Sequence, residues 1–286
     1  MRHAALALLL CAGSAQAVVS VDEITVPVKV ANAFGREIEH SIKVTLFHEP
    51  SAPKPYPLLV LNHGRSGQSA ERAKTSAATY AAQARWLTGF GFLVAVPVRI
   101  GYGVTGGPDV EDTGNCGSKN YPPGYQAAAV QTLAVLAQLR AREDAAGDRA
   151  LVMGQSFGGA TAIAVAALNP PGIQATVNFA GGGGGDPVKQ PMYPCREDLL
   201  KSLFAGYGAT ARMPTLWLYS ENDRYWGPKL PVEWFEAFKA AGGQGEFAAF
   251  PPVSNDGHRL FSRAPQLWQP RLRQFLIQVG YPPLNR

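Results

Sequence analysis

The sequence predicts an α/β protein: a mostly parallel central sheet with helices on both faces, preceded by an antiparallel strand pair. Three observations carry that expectation. From residue 58 onward, short and almost wholly apolar runs recur, as strands buried on both faces require. Segments of helical length and spacing separate them, and such alternation builds parallel sheets. The first stretch instead alternates apolar with polar residues, the pattern of strands with one wet face.

Residues 1–17 have the parts of an export signal: the positive Arg2, an apolar run over 4–12, and the small-x-small site Ala15-Gln16-Ala17. The mature chain is expected to begin near Val18, leaving 18–286 as one domain delivered to a periplasm or the medium. Leu10 is bulky where lipid attachment at Cys11 would need a small residue. Residues 21–30 and 36–48 are rich in Val, Ile and Thr and are expected to pair around Asn32-Ala33-Phe34-Gly35. After a Pro-rich stretch over 50–57, buried strands are expected at 58–62, 92–98, 149–153, 175–180, 215–219 and 246–250. Helices are expected over 77–88, 125–142, 158–168, 197–205, 231–241 and 266–279. In the second of these, Val130, Leu133, Leu136 and Ala137 mark one apolar face.

Composition narrows the partners. The chain has 286 residues, 46% of them hydrophobic, which suffices for one large core. Its net charge of +5 is mild and the basic residues are scattered, so no nucleic-acid footprint is expected. No segment reaches the roughly 20 apolar residues of a membrane helix. Beyond Cys11 there are two cysteines, Cys116 and Cys195, without metal-ligand spacing. In an oxidising compartment they are candidates for a disulfide, the alternative being two unpaired thiols.

The chemistry centres on Leu151-Val152-Met153-Gly154-Gln155-Ser156-Phe157-Gly158-Gly159. Here G-x-S-x-G sits between an apolar strand and an apolar helix, where acyl-transfer enzymes place a nucleophile in a strained turn. Gly154 and Gly158 remove side chains that would collide with the neighbouring strand and helix. Serine needs an oriented base. Of five histidines, His3 leaves with the signal, His40 and His48 flank an early strand, and His63 precedes the loop after the first parallel strand. His258, in Ser254-Asn255-Asp256-Gly257-His258 between the last strand and last helix, is the expected base. The acid should follow a strand and precede the histidine. Asp223 fits, with Glu221 and Asp256 as competitors. The expected oxyanion donors are the backbone N–H groups of Phe157, next after the nucleophile, and Arg65, in His63-Gly64-Arg65-Ser66-Gly67.

Together these residues resemble the α/β-hydrolase superfamily, and within it the dienelactone hydrolase-like branch. The resemblance covers nearly the whole mature chain: His63-Gly64, the Gly154 to Gly158 corner, Asp223 and His258, in order. It implies an α/β-hydrolase fold and a serine hydrolase acting on small-molecule carboxylic esters, with no metal or organic cofactor. The enzymes that name the branch carry a cysteine where this chain has Ser156, and the export signal and amino-terminal strand pair look more like secreted esterases. A serine peptidase of the same fold and a noncatalytic binding protein are the alternatives. Tyr102, Tyr225, Trp226 and Phe157 are candidates to line a substrate pocket, against simple core packing. Gly residues 181–185 are read as a tight turn, and Asp109-Val110-Glu111-Asp112 as a solvated loop rather than a calcium site. Arg65 and Arg99 raise the expectation of an acidic substrate.

Overall fold

The computed structural model describes residues 18–284; the expected export signal at 1–17 lies outside the described residues. Eight strands form one sheet in the order β1-β2-β4-β3-β5-β6-β7-β8. β1 (Ser20–Ala31) and β2 (Glu37–His48) pair antiparallel, and β2 is antiparallel to β4 (Leu93–Val98). The remaining pairings, through β3 (Tyr56–Asn62), β5 (Ala145–Gln155), β6 (Ile173–Phe179), β7 (Thr215–Ser220) and β8 (Gly245–Phe250), are parallel.

Burial follows the sequence pattern that produced it. Every residue of β3, β4 and β7 is buried, whereas in β1 only Val26, Val28 and Val30 are, each between exposed neighbours. Successive strand residues point to opposite faces, so the apolar runs feed two cores. Leu58, Val60, Ala150, Val152 and Trp217 belong to one, and Leu59, Leu61, Leu151, Met153 and Leu216 to the other. Over the first lie α3 (Tyr121–Arg140), α4 (Phe157–Leu168), α5 (Glu197–Thr210) and α6 (Leu230–Ala240). Over the second lie α2 (Ala81–Thr88), α7 (Leu260–Arg263) and α8 (Pro265–Gln278). The single turn α1 (Ser69–Arg72) buries nothing. Among the described residues no helix is long and apolar enough to cross a membrane.

Among the boundaries that differ from the sequence reading, two have local reasons. The helix expected from 125 starts at Tyr121, because Pro122 and Pro123 fall in its first turn, where a missing N–H costs no intrahelical bond. The helix expected to end at 205 continues to Thr210, four residues before Pro214. What matters for chemistry is direction. Arg65, Ser156, Asp223 and His258 follow the carboxyl ends of β3, β5, β7 and β8, and parallel strands bring those ends to one edge.

Candidate active site

Ser156 joins β5 to α4 with φ +57° and ψ −125°, a conformation that a residue with a side chain adopts only under strain. The two glycines are what make the corner possible. A Cβ on Gly154 would stand 2.2 Å from the Gly158 carbonyl oxygen, and one on Gly158 would stand 2.4 Å from that of Asn62. The Ser156 N–H donates to the Phe179 carbonyl at 2.9 Å, tying the corner to β6.

Asp223 is fully buried, and its Oδ2 accepts from His258 Nδ1 at 2.9 Å. Oδ1 accepts from the N–H groups of Tyr225 and Trp226 at 2.8 and 3.2 Å, so the carboxylate is held at both oxygens. With a carboxylate as acceptor, Nδ1 carries the proton and a neutral imidazole keeps its lone pair at Nε2. Neither competitor takes this place. Asp256 caps the turn ahead of α7, accepting from the N–H groups of His258 at 3.0 Å and Arg224 at 3.1 Å, and Glu221 is exposed. The Tyr225 ring stacks on the His258 imidazole with centroids 4.0 Å apart, and Trp226 meets it edge-on at 5.5 Å.

The other described histidines, His40, His48 and His63, have structural partners. His63 is buried; its Nδ1 lies 2.7 Å from the Gly64 carbonyl oxygen, and its Nε2 accepts from the Arg99 N–H at 3.2 Å. Burial, with the nearby Arg99 charge, pushes its pKa well below the usual imidazole value, so it is neutral. His40 Nε2 meets the Thr105 carbonyl at 3.0 Å, and His48 lies 3.6 Å from Asp22.

The loop after β3 passes directly over the serine: a Cβ on Gly64 would be 3.1 Å from Ser156 Cβ. The Gly64 N–H is taken by Tyr80 Oη at 3.3 Å. The Arg65 N–H has no acceptor among the described residues, and Phe157 opens α4, so its N–H has no intrahelical one. Sequence reasoning missed the bridge beneath them. Tyr80 Oη donates to Gln155 Oε1 at 3.2 Å, and Gln155 Nε2 donates to the His258 carbonyl at 2.9 Å. Gln155, adjacent to Ser156 in the motif, thereby links the serine corner to the histidine loop; Tyr80 carries no comparable sequence signal.

A cleft of about 490 Å³ opens beside Ser156, walled by Phe157, Tyr225, Trp226, Arg65, Lys119 and residues 182–185. The structure thus brings Tyr225, Trp226 and Phe157 to the cleft wall, but not Tyr102. It is buried, edge-on to His63, with its hydroxyl donating to Glu111 Oε2 at 2.6 Å. The glycine run is more than a turn. A Cβ on Gly182 would press the Trp226 ring at 2.9 Å, and one on Gly185 would meet Tyr225 and Trp226 at 2.8 and 2.7 Å. Cys116, on the cleft wall, is joined to Cys195 by a disulfide with Cα atoms 5.0 Å apart.

The acidic run is not a solvated loop either. Glu111 is fully buried and grips Arg99 through Oε1 at 2.5 Å and Oε2 at 3.2 Å, while Asp109 takes both Arg65 Nη atoms at 2.6 and 2.7 Å. These pairings separate the two arginines raised for an acidic substrate: only Arg65 lines the cleft. Arg99 is fully buried, and the Arg65 charge is answered by Asp109. Among the described residues no group of three or more His, Cys, Asp or Glu is arranged to hold a metal ion.

No family profile and no curated protein matches this chain. Solved structures do match in shape. A proposed dienelactone hydrolase from Klebsiella pneumoniae superposes with TM-score 0.58 at 15% identity, covering 91% of this chain and 99% of its own. Acetyl xylan esterase 1 from a Thermoanaerobacterium species gives 0.58 at 14%, covering 93% and 89%. An esterase from Pyrococcus furiosus gives 0.56 at 14%, covering 89% and 90%. The strand order and these superpositions show the α/β-hydrolase fold.

Proposed function

We propose that the protein is an exported serine hydrolase that cleaves carboxylic esters of small molecules through an acyl-enzyme. The observation that carries this reading is the Asp223–His258 pair, a buried carboxylate 2.9 Å from Nδ1, with the His258 carbonyl hydrogen-bonded to Gln155, the sequence neighbour of the strained Ser156. His258 Nε2 takes the Ser156 proton as Oγ attacks the ester carbonyl carbon. The Arg65 and Phe157 N–H groups hold the oxyanion as the tetrahedral intermediate forms. Collapse breaks the bond to the alcohol oxygen, which receives the proton from His258, leaving the acyl group on Ser156. Water then attacks that ester with His258 again as base, releasing the acid and restoring the serine. Asp223 fixes the imidazole tautomer and stabilises the imidazolium without taking a proton. None of these steps calls on a metal or organic cofactor.

Esterases among the structural neighbours support the reaction class, and the disulfide is compatible with an oxidising compartment outside the cytoplasm. The test is a stopped-flow burst with an activated p-nitrophenyl ester. Purified protein from residue 18 onward should release one equivalent of nitrophenol per active site in the burst, and Ser156→Ala should fold but show no burst. Full turnover by that variant, or faster cleavage of a matched anilide than of the ester, would overturn the proposal.

A further inference from the structure

The acidic run lies against the loop that is expected to carry the second oxyanion donor, and it touches that loop on both sides of the donor. Glu111 holds Arg99, whose Nη1 donates to the His63 carbonyl at 3.0 Å. Asp109 holds the Arg65 guanidinium in a two-point fork, and the same guanidinium is 3.2 Å from Tyr102 Oη and 6.0 Å from the centre of the Phe157 ring. Asp109 Oδ2 also lies 3.0 Å from Arg72, whose Nη1 donates to the Ser66 and Gly67 carbonyls at 3.2 and 3.0 Å. Residues 63, 65, 66 and 67 are thus all tied to two carboxylates.

We propose that Asp109 is a positioning residue for the oxyanion hole: through the Arg65 side chain and Arg72 it fixes the direction of the Arg65 main-chain N–H over Ser156. The inference rests on reading Ser156 as the nucleophile. A donor flanked by Gly64 and by Ser66-Gly67 has little local stiffness of its own. A two-point charge-assisted fork sets both distance and plane, which a single hydrogen bond does not. A donor that is aimed in advance needs no reorganisation as the oxyanion forms, and displacement by about 1 Å costs on the order of 100-fold in rate.

Asp109→Asn keeps the shape and loses the charged fork. With a p-nitrophenyl ester it should lower kcat by roughly ten- to a hundredfold with KM changed by less than about threefold, because the contact acts when charge develops. Affinity for a trifluoromethyl ketone, which forms a tetrahedral adduct on the serine, should fall by the same factor as kcat/KM. Asp109→Glu should recover part of the loss. Once Arg65→Ala has removed the fork, adding Asp109→Asn should cost less than it does alone, the remainder being the contact through Arg72. If Asp109→Asn does not fold, Arg65→Lys, which retains charge without the fork, should show the same split. Unchanged kcat, a loss in KM alone, ketone affinity that stays while kcat falls, or additive losses in the double variant would each overturn the proposal. Absence of a wild-type burst would instead sink the nucleophile assignment, so the two failures are distinct.

Discussion

His258 shows how much of its proposed role depends on what one carboxylate oxygen accepts. Asp223→Asn presents an amide that is able to donate to Nδ1, which reverses the tautomer and puts a proton where Nε2 must be free. Loss on the order of 10,000-fold in kcat with an unchanged unfolding curve is expected, measured by steady-state kinetics alongside urea denaturation. Asp109 has a separate signature in stability. Burial pushes its carboxyl up, but the Arg65 hydrogen bonds and the Arg65 and Arg72 charges outweigh that and hold it below the ordinary value of 3.8. A folded-state value below the unfolded one adds stability that is fully present above about pH 4 and is lost as pH falls through the folded value. The stability gap between wild type and Asp109→Asn should therefore be wide at pH 6 and shrink below pH 4; a constant gap would remove Asp109 from the titrating network. At this scale, the placement of Ser156, Asp223 and His258 at one edge was legible because each was expected directly after a strand. The Arg65–Asp109 fork was not, since it joins residues 44 apart and depends on how the loops after β3 and β4 meet.

The strands and helices were largely legible because their periodicity is dictated by which faces are wet. β3 and β4 read as apolar runs and are buried throughout, and β1 reads as alternation and is half buried. The loops were not. The glycine run read as a turn because a sequence does not reveal the two rings pressed against it, and Tyr102 read as a wall of the pocket because nothing local announces Glu111 as its partner. One loop contact lends itself to measurement. The Cys116–Cys195 bridge closes a span of 79 residues, and the loop-entropy relation gives about 4.5 kcal/mol for such a span. Reduction, or the Cys116→Ser/Cys195→Ser pair, should lower unfolding free energy by up to that amount in urea titrations. Because Cys116 walls the cleft, bulky esters should lose more kcat/KM than an acetyl ester. Equal stability with and without the bridge would contradict the staple.

In the whole molecule, a single sheet divides two cores, and its parallel strands deliver the Ser156 corner, the Asp223 carboxylate, the His258 imidazole and the Arg65 loop to one edge. Residues between positions 65 and 258 come together because the strand order is fixed by those cores. The central claim is that the converged edge activates Ser156 and no other hydroxyl. Mass-spectrometric mapping of native protein treated with a fluorophosphonate tests it most directly. One adduct is expected, on the peptide containing Ser156, lost in His258→Ala while the fold persists. An adduct on another serine, or none on correctly folded protein, would contradict it.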